Sequence, residues 1–150
     1  VISSPILRTR QSAELIAAAL GVEVEDEPGL TEVEAERWEG ELFDDLAQNP
    51  GIRRAMREPG KTAPGFEPLR DVQARAMASV DRHWHDADDA HLIAVSHGDV
   101  VRALVAHYLS VSLPEFRRLA IDNGSVSRID RTGREDFKRN ERRWHGNILF

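Results

Sequence analysis

The first stretch of the sequence that could carry chemistry is Ser3-Ser4-Pro5 followed by Arg8. The short apolar segment Val1-Ile2 leads into it and reads as the end of a strand. Ser4 and Pro5 are residue types that begin helices, as a cap and as the first helical residue. Arg8 would then lie in the first turn of a helix, where unpaired N–H groups attract anions and a guanidinium fits phosphate oxygens. The alternative is a capped helix with a solvated arginine.

A second candidate is His97, at the corner between a predicted strand and a predicted helix. The apolar run Leu92–Val95 ends just before it, and Gly98 opens the next helix. Open α/β sheets bind ligands at such carboxyl ends of strands. The alternatives are a hydrogen-bonded core histidine or an ordinary turn.

The third candidate is an acid, Glu32, which follows Leu30-Thr31 and precedes Trp38-Glu39-Gly40. A carboxyl group held in a partly dry loop has a raised pKa, which suits a general acid. The alternative is that Glu32 is one solvated acid among several, because Glu34, Glu36 and Glu39 crowd the same segment.

Other kinds of site find less support. His83 and His85 stand near an acidic cluster, Asp86, Asp88, Asp89 and His91, which is more typical of a solvated linker than of a metal site with a second shell of partners. No phosphate-cradling glycine loop and no G-x-S-x-G elbow occurs. We therefore expect no metal and no cofactor.

The elements that must position these residues alternate between helices and strands. Apolar spacing predicts helices at Ile6–Leu20, Leu69–Trp84, from Gly98 onward and at Pro114–Leu119. Turn residues end the first of these at Gly21, and Asn49-Pro50-Gly51 breaks a further helical stretch, Leu42–Met56, into pieces. Strands are predicted at Val22–Val24, Leu92–Val95, Val126–Ile129 and Trp144–Phe150. This order predicts one α/β domain over residues 1–150, with helices covering a mostly parallel sheet.

Composition limits the class of protein. The 150 residues are 41% hydrophobic and 31% charged, with a formal net charge of −6 and no cysteine. This mix suits a globular domain and excludes a disulfide framework. The acidic balance argues against non-specific nucleic-acid binding, and no apolar run is long enough to span a membrane. We expect a cytoplasmic protein without nucleic-acid or membrane partners.

Taken together, five motifs in order resemble the histidine phosphatase superfamily, also called phosphoglycerate-mutase-like. They are Ser3-Ser4-Pro5 with Arg8 and Gln11, Leu30-Thr31-Glu32 with Trp38-Glu39-Gly40, Pro64-Gly65-Phe66-Glu67, Val95-Ser96-His97-Gly98, and Asn123-Gly124-Ser125-Val126. The resemblance covers Ser3 to about Ile129. It implies a three-layer α/β/α fold.

The resemblance also implies roles for residues. Arg8, His97 and the backbone at Gly98 would hold the phosphoryl group, and Glu32 would protonate the leaving oxygen. The implied reaction is metal-independent hydrolysis of a phosphomonoester of a small metabolite through a phosphohistidine.

The sequence departs from the family pattern in two places. Members open with a strand that ends in Arg-His-Gly and supplies the nucleophile, and no Arg-His-Gly occurs in these 150 residues. We therefore expect an N-terminal strand and helix to be missing, the isolated chain to be inactive, and its exposed sheet edges to promote homo-oligomers. Ala35 and Glu36 replace the family's usual phenylalanine and glycine, which makes Glu34 the fallback for the acid.

Two other functions stay open. One is phosphoglycerate-mutase-type phosphoryl transfer, although the short stretch between Glu32 and His97 favours a phosphatase. The other is a degenerate family member that binds an anion without turnover.

Overall fold

A computed structural model describes residues 1–34, 48–58, 65–84, 91–131 and 146–149, which form a five-stranded sheet with helices. The strands are β1 (Ile2–Ser3), β2 (Glu25–Asp26), β3 (His91–Val95), β4 (Arg128–Arg131) and β5 (Gly146–Leu149), in the spatial order β2-β1-β3-β5-β4. β1 pairs in parallel with β2 and β3, and β3 pairs in parallel with β5. β4 runs antiparallel to β5. The sheet is thus mostly parallel, as predicted.

Four helices are described: α1 (Leu7–Leu20), α2 (Pro50–Arg57), α3 (Leu69–His83) and α4 (Gly98–Tyr108). The described residues also include two 3-10 helices, Pro28–Leu30 and Leu113–Arg118. The predicted α3 and α4 are confirmed. Gly21 ends α1 in the left-handed conformation, with φ of 68°, which glycine adopts without strain.

The helices lie on both faces of the sheet. On one face, Ile2 and Ala94 are buried with apolar residues of α3 and α4, such as Val72 and Leu104. Side chains alternate along a strand, so the neighbours of Ala94 in β3 point to the other face. There Ile93 and Val95 line a cavity together with Ser12 and Ile16 of α1. The resulting architecture is the α/β fold that the resemblance implies.

The strand predicted at Val22–Val24 is wrong, because the helix cap reaches further than the apolar pattern suggests. The N–H of Val22 still donates to the carbonyl of Ala17, 3.1 Å away, as part of the end of α1. Pairing begins only at Glu25, whose N–H donates to the carbonyl of Val1 at 2.9 Å.

Asn49-Pro50-Gly51 begins α2, and the break predicted there is confirmed at Asn49, which lies between the helical residue Gln48 and Pro50, the first residue of α2. The side-chain oxygen of Asn49 accepts hydrogen bonds from the N–H groups of Gly51 and Ile52, at 2.9 and 3.3 Å. Pro50 occupies the first turn, where its missing N–H costs nothing.

Ser4 and Pro5 do not begin α1. Ile6 is the residue that precedes the helix, and no side chain caps it. The hydroxyl of Ser4 instead accepts from the N–H of Ile6 at 3.3 Å and is turned toward the candidate site. Ser4 therefore has a role that the capping pattern does not indicate.

The late elements are shifted by a few residues. The strand predicted at Val126–Ile129 lies at Arg128–Arg131, and Val126 is exposed in the preceding loop. The predicted Trp144–Phe150 strand is described at Gly146–Leu149, with its outer residues outside the described part. The short helix predicted at Pro114–Leu119 is present as a 3-10 helix, Leu113–Arg118.

Candidate active site

The carboxyl ends of β1 and β3 bring two of the predicted residues together. The two strands are neighbours, and the N–H of Ser4 extends their pairing by donating to the carbonyl of Val95 at 2.9 Å. Arg8 follows β1 in the first turn of α1, and His97 follows β3 immediately before α4. Because parallel strands end at the same edge of a sheet, both side chains reach one place.

His97 lies between Arg8 and Ser4. Its Nδ1 is 2.9 Å from Nη2 of Arg8, and its Nε2 is 2.9 Å from Oγ of Ser4. A guanidinium only donates, so Nδ1 accepts from Arg8, and Nε2 carries the proton that is donated to Ser4. Burial, followed by the positive charges of Arg8 and Arg75, lowers the pKa of His97 to about 4. His97 is therefore a neutral imidazole of fixed tautomer near pH 7.

Glu32 completes the group. Its Oε2 lies 3.6 Å from Nδ1 of His97 and 3.9 Å from Nη2 of Arg8. Burial is the main cause that raises the pKa of Glu32, and the charge of Asp99 adds to it. The N–H of Val33 donates to Oε1 at 3.0 Å and acts in the opposite direction. A carboxyl group with a raised pKa beside a cation can deliver a proton to a bound group.

The site opens into a cavity of about 600 Å³ that Arg8, Glu32, His97 and Gly98 all line. Arg8 is the exposed member, with 64% of its side chain accessible, against 2% for His97. A Cβ placed on Gly98 would meet no atom within 4 Å, so the first turn of α4 faces open space. Residues in the first turns of both α1 and α4 thus line one cleft, and helix N-termini are places that attract anions.

The remaining candidates lie elsewhere. Glu34, the fallback acid, is exposed, and its backbone pairs with Glu67. His83 ends α3, away from the cavity, and its Nε2 lies 2.8 Å from a carboxylate oxygen of Glu27. Residues 35–47, with Glu36, Trp38 and Glu39, and residues 85–90 fall outside the described part.

The five described ranges contain neither a candidate metal cluster nor a candidate membrane span. In those five ranges no group of three or more histidines and acids could hold a metal ion. In the same ranges no helix is both long and apolar enough to cross a membrane.

Sequence reasoning missed one residue at this site, Arg75 of α3. Its guanidinium makes five hydrogen bonds, three to backbone carbonyls of the loop that carries Glu32 and two to the carboxylate of Glu67. Its position was a usable signal, because Arg75 stands beside the apolar stripe of Val72, Ala76 and Val80, where a charged residue requires partners.

Comparison with known proteins decides the family. The family model for the histidine phosphatase superfamily, branch 1, matches residues 1–141. The chain belongs to the histidine phosphatase superfamily. This histidine phosphatase chain is similar to phosphoserine phosphatase 1 of Hydrogenobacter thermophilus, with 32% identity over 136 residues, which is 86% of this chain and 63% of that protein.

Other relatives carry different names. The probable phosphoglycerate mutase GpmB of Erwinia tasmaniensis is 32% identical over 134 residues, covering 87% of this chain and 62% of that protein. Among solved structures, the mycobacterial glucosyl-3-phosphoglycerate phosphatase in complex with inorganic phosphate is 27% identical, with a TM-score of 0.68 over 85% of this chain and 69% of that one. The histidine phosphatase chain thus spans 62–63% of the length of the two curated relatives.

Proposed function

We propose that the protein hydrolyses phosphomonoesters of small metabolites through a phosphohistidine intermediate. One observation carries the proposal: a cation, a neutral histidine and a carboxyl group with a raised pKa, Arg8, His97 and Glu32, meet at the edge of one cavity. This is the set of groups that binding a phosphoryl group and protonating its leaving oxygen requires. The family membership and the phosphatase names of relatives support it.

Each group has a distinct task in this proposal. The guanidinium of Arg8 and the N–H groups that open α4 at Gly98 bind the non-bridging oxygens, where negative charge shifts during transfer. His97 donates a hydrogen bond to a phosphoryl oxygen in this proposal only when Nδ1 gains a proton as the phosphate displaces Arg8, because Nδ1 is an acceptor in the unliganded site. Glu32 gives its proton to the departing alkoxide and then takes one from the attacking water.

The nucleophile in this proposal is a histidine outside these 150 residues, within an Arg-His-Gly motif. His97 is unsuited to that task, because its side chain is almost fully buried and both ring nitrogens are engaged. In-line transfer tolerates little displacement, since about 1 Å can cost about 10²-fold in rate. The expected substrate is a phosphorylated metabolite in the cytoplasm.

A mutase is the second candidate, because a relative named as a probable phosphoglycerate mutase is as similar to this chain as the phosphoserine phosphatase. The two are separated by where the phosphoryl group goes. A phosphatase releases inorganic phosphate, whereas a mutase returns the group to another oxygen of a bound phosphoglycerate.

The leading proposal is tested by Glu32→Gln in the protein with its natural flanking sequence. With an alkyl phosphate, whose leaving oxygen needs a proton, turnover should fall by about 10²-fold or more. With nitrophenyl phosphate, which has a good leaving group, the loss should be much smaller. Steady-state release of phosphate from both substrates measures the difference.

Glu34→Gln is the matched control, because Glu34 is exposed and lies two residues along the same segment. It should leave both rates within about twofold, which is small beside the loss expected from a removed acid. Equal losses on both substrates in Glu32→Gln would count against the acid role. A substrate-dependent loss in Glu34→Gln instead would move that role to Glu34.

A further inference from the structure

Three of the five hydrogen bonds of the Arg75 guanidinium go to the loop that carries Glu32. Nη1 donates to the carbonyls of Gly29 and Thr31 at 2.8 and 2.7 Å, and Nη2 donates to the carbonyl of Glu32 at 3.1 Å. Three carbonyls within four residues of backbone, Gly29 to Glu32, therefore bond to one side chain. A carbonyl that meets a charged donor forms a stronger hydrogen bond than one that meets a neutral donor.

Glu67 holds this guanidinium in place from the other side. Its two oxygens accept from Nε and Nη2 of Arg75 at 2.8 and 2.9 Å, which is a bidentate pair. Glu67 also exchanges backbone contacts with Glu34, whose carbonyl accepts from the N–H of Glu67 at 2.9 Å. Both side chains are mostly buried, at 22% and 15% accessible, so solvent screens the pair less than a surface ion pair.

The loop also lies unusually close to α3. A Cβ on Gly29 would fall 1.9 Å from Oγ of Ser79 and 2.9 Å from the carbonyl oxygen of Arg75. Only glycine allows this approach. The loop thus packs closely against α3 at Gly29, and Arg75 of the same helix binds the loop backbone from Gly29 to Glu32.

We propose that Arg75, oriented by Glu67, is a positioning residue that holds the Glu32 carboxyl group against Arg8 and His97. The inference deepens the proposed function and depends on it for the role of Glu32 as the acid. Arg75 lies behind the loop and bonds the backbone of Glu32, so it acts on the acid and not on the substrate. Replacing Arg75 should therefore slow most the substrates whose leaving oxygen needs a proton.

Arg75→Lys tests whether the five N–H donors of the guanidinium are needed, because lysine keeps the charge but has three donors in place of five. In the protein with its natural flanking sequence, turnover of an alkyl phosphate should fall by about 10²-fold, the cost of a displaced catalytic group. Turnover of nitrophenyl phosphate should fall less than about threefold, because that leaving group needs little acid catalysis. Arg70→Lys, on the same helix but paired at the surface with Asp71, is the matched control and should match the wild type.

A double-mutant cycle separates positioning from general destabilisation. If Arg75 acts through Glu32, Glu32→Gln/Arg75→Lys should be no slower on the alkyl phosphate than Glu32→Gln alone. Equal slowing of both substrates by Arg75→Lys, additive losses in the cycle, or full activity of Arg75→Lys would each overturn the proposal. If Arg75→Lys does not fold, Glu67→Gln is measured in its place, with the same pattern expected at about 10-fold.

A readout without turnover keeps this inference distinct from the proposed function. In the wild type, inorganic phosphate should shift the ¹³C resonance of the Glu32 carboxyl group, which lies 3.9 Å from Arg8 and 3.6 Å from His97. In Arg75→Lys the shift should shrink severalfold, while the phosphate affinity stays within twofold. A wild type that shows this shift but hydrolyses no ester would refute the hydrolase and retain the positioning role. An unchanged shift in Arg75→Lys would refute the positioning role alone.

Discussion

Glu27 is a buried carboxylate whose replacement by Gln should cost about 3 kcal/mol of folding stability at neutral pH. Burial by itself would raise its pKa, but hydrogen bonds from His83, the N–H of Gly29, Arg82 and Ser79 outweigh burial and lower the pKa to about 2. At about 1.4 kcal/mol for each tenfold change in proton dissociation, a fall from 4.5 to about 2 gives about 3 kcal/mol. Gln resembles the protonated carboxyl group in shape and charge, so Glu27→Gln should lose about that amount.

The pH dependence of the same variant checks the origin of the loss. A carboxyl group with a lowered folded-state pKa contributes stability that is complete above its unfolded value of 4.5 and disappears as the pH falls through about 2. The difference between wild type and Glu27→Gln in urea unfolding should therefore be largest at pH 7 and fall to about half at pH 3.

Glu25→Gln is the control for this experiment. Glu25 stands two residues before Glu27, and its side chain is 69% accessible, with an oxygen 3.8 Å from His83. It should cost less than about 0.5 kcal/mol, as an exposed charge does. A loss in Glu27→Gln below about 1 kcal/mol, or one of equal size at pH 3 and pH 7, would refute the reasoning, since linkage requires the difference to shrink in acid.

Two further predictions concern His97 and its partner Ser4. Because the pKa of His97 is lowered to about 4 in the folded state, the unfolded chain binds a proton at higher pH than the folded chain does. The free energy of unfolding should therefore fall by up to about 3 kcal/mol between pH 6.5 and 4. His97→Asn should flatten this part of the stability–pH profile measured by urea unfolding, and an unchanged slope would contradict the prediction. Ser4→Ala leaves the buried Nε2–H of His97 without its acceptor, so it should lower the free energy of unfolding by about 1–3 kcal/mol. It should also weaken phosphate binding measured by calorimetry. Unchanged stability and affinity would show that Ser4 does not orient the imidazole.

Much of the fold follows from local patterns in the sequence. The apolar stripe of α3 and the strand before His97 both appear as predicted, although Ala94 is the one buried residue of that strand. The errors fall where caps and edge strands are short. β2 is only two residues long, and its position is fixed by pairing with Val1, which a local pattern cannot contain.

The candidate site also has a part that the sequence predicts and a part that it does not. Arg8 and His97 follow strand ends, and parallel strands bring such positions together, so their proximity could be inferred from the order of elements. The hydrogen bonds from Arg75 to the backbone around Glu32 join residues more than 40 positions apart in sequence. Backbone carbonyls look alike at every position, so the sequence offers no local mark of which ones an arginine will bind.

The most direct test of the proposed chemistry is to trap the intermediate and locate it. The protein with its natural flanking sequence is mixed with a phosphate ester, quenched in alkali, digested and analysed by mass spectrometry. The account predicts an acid-labile phosphoryl group on a histidine of an Arg-His-Gly motif outside residues 1–150, with His97 unmodified. A phosphoryl group on His97, or hydrolysis with no phosphohistidine under conditions that trap other family members, would contradict it.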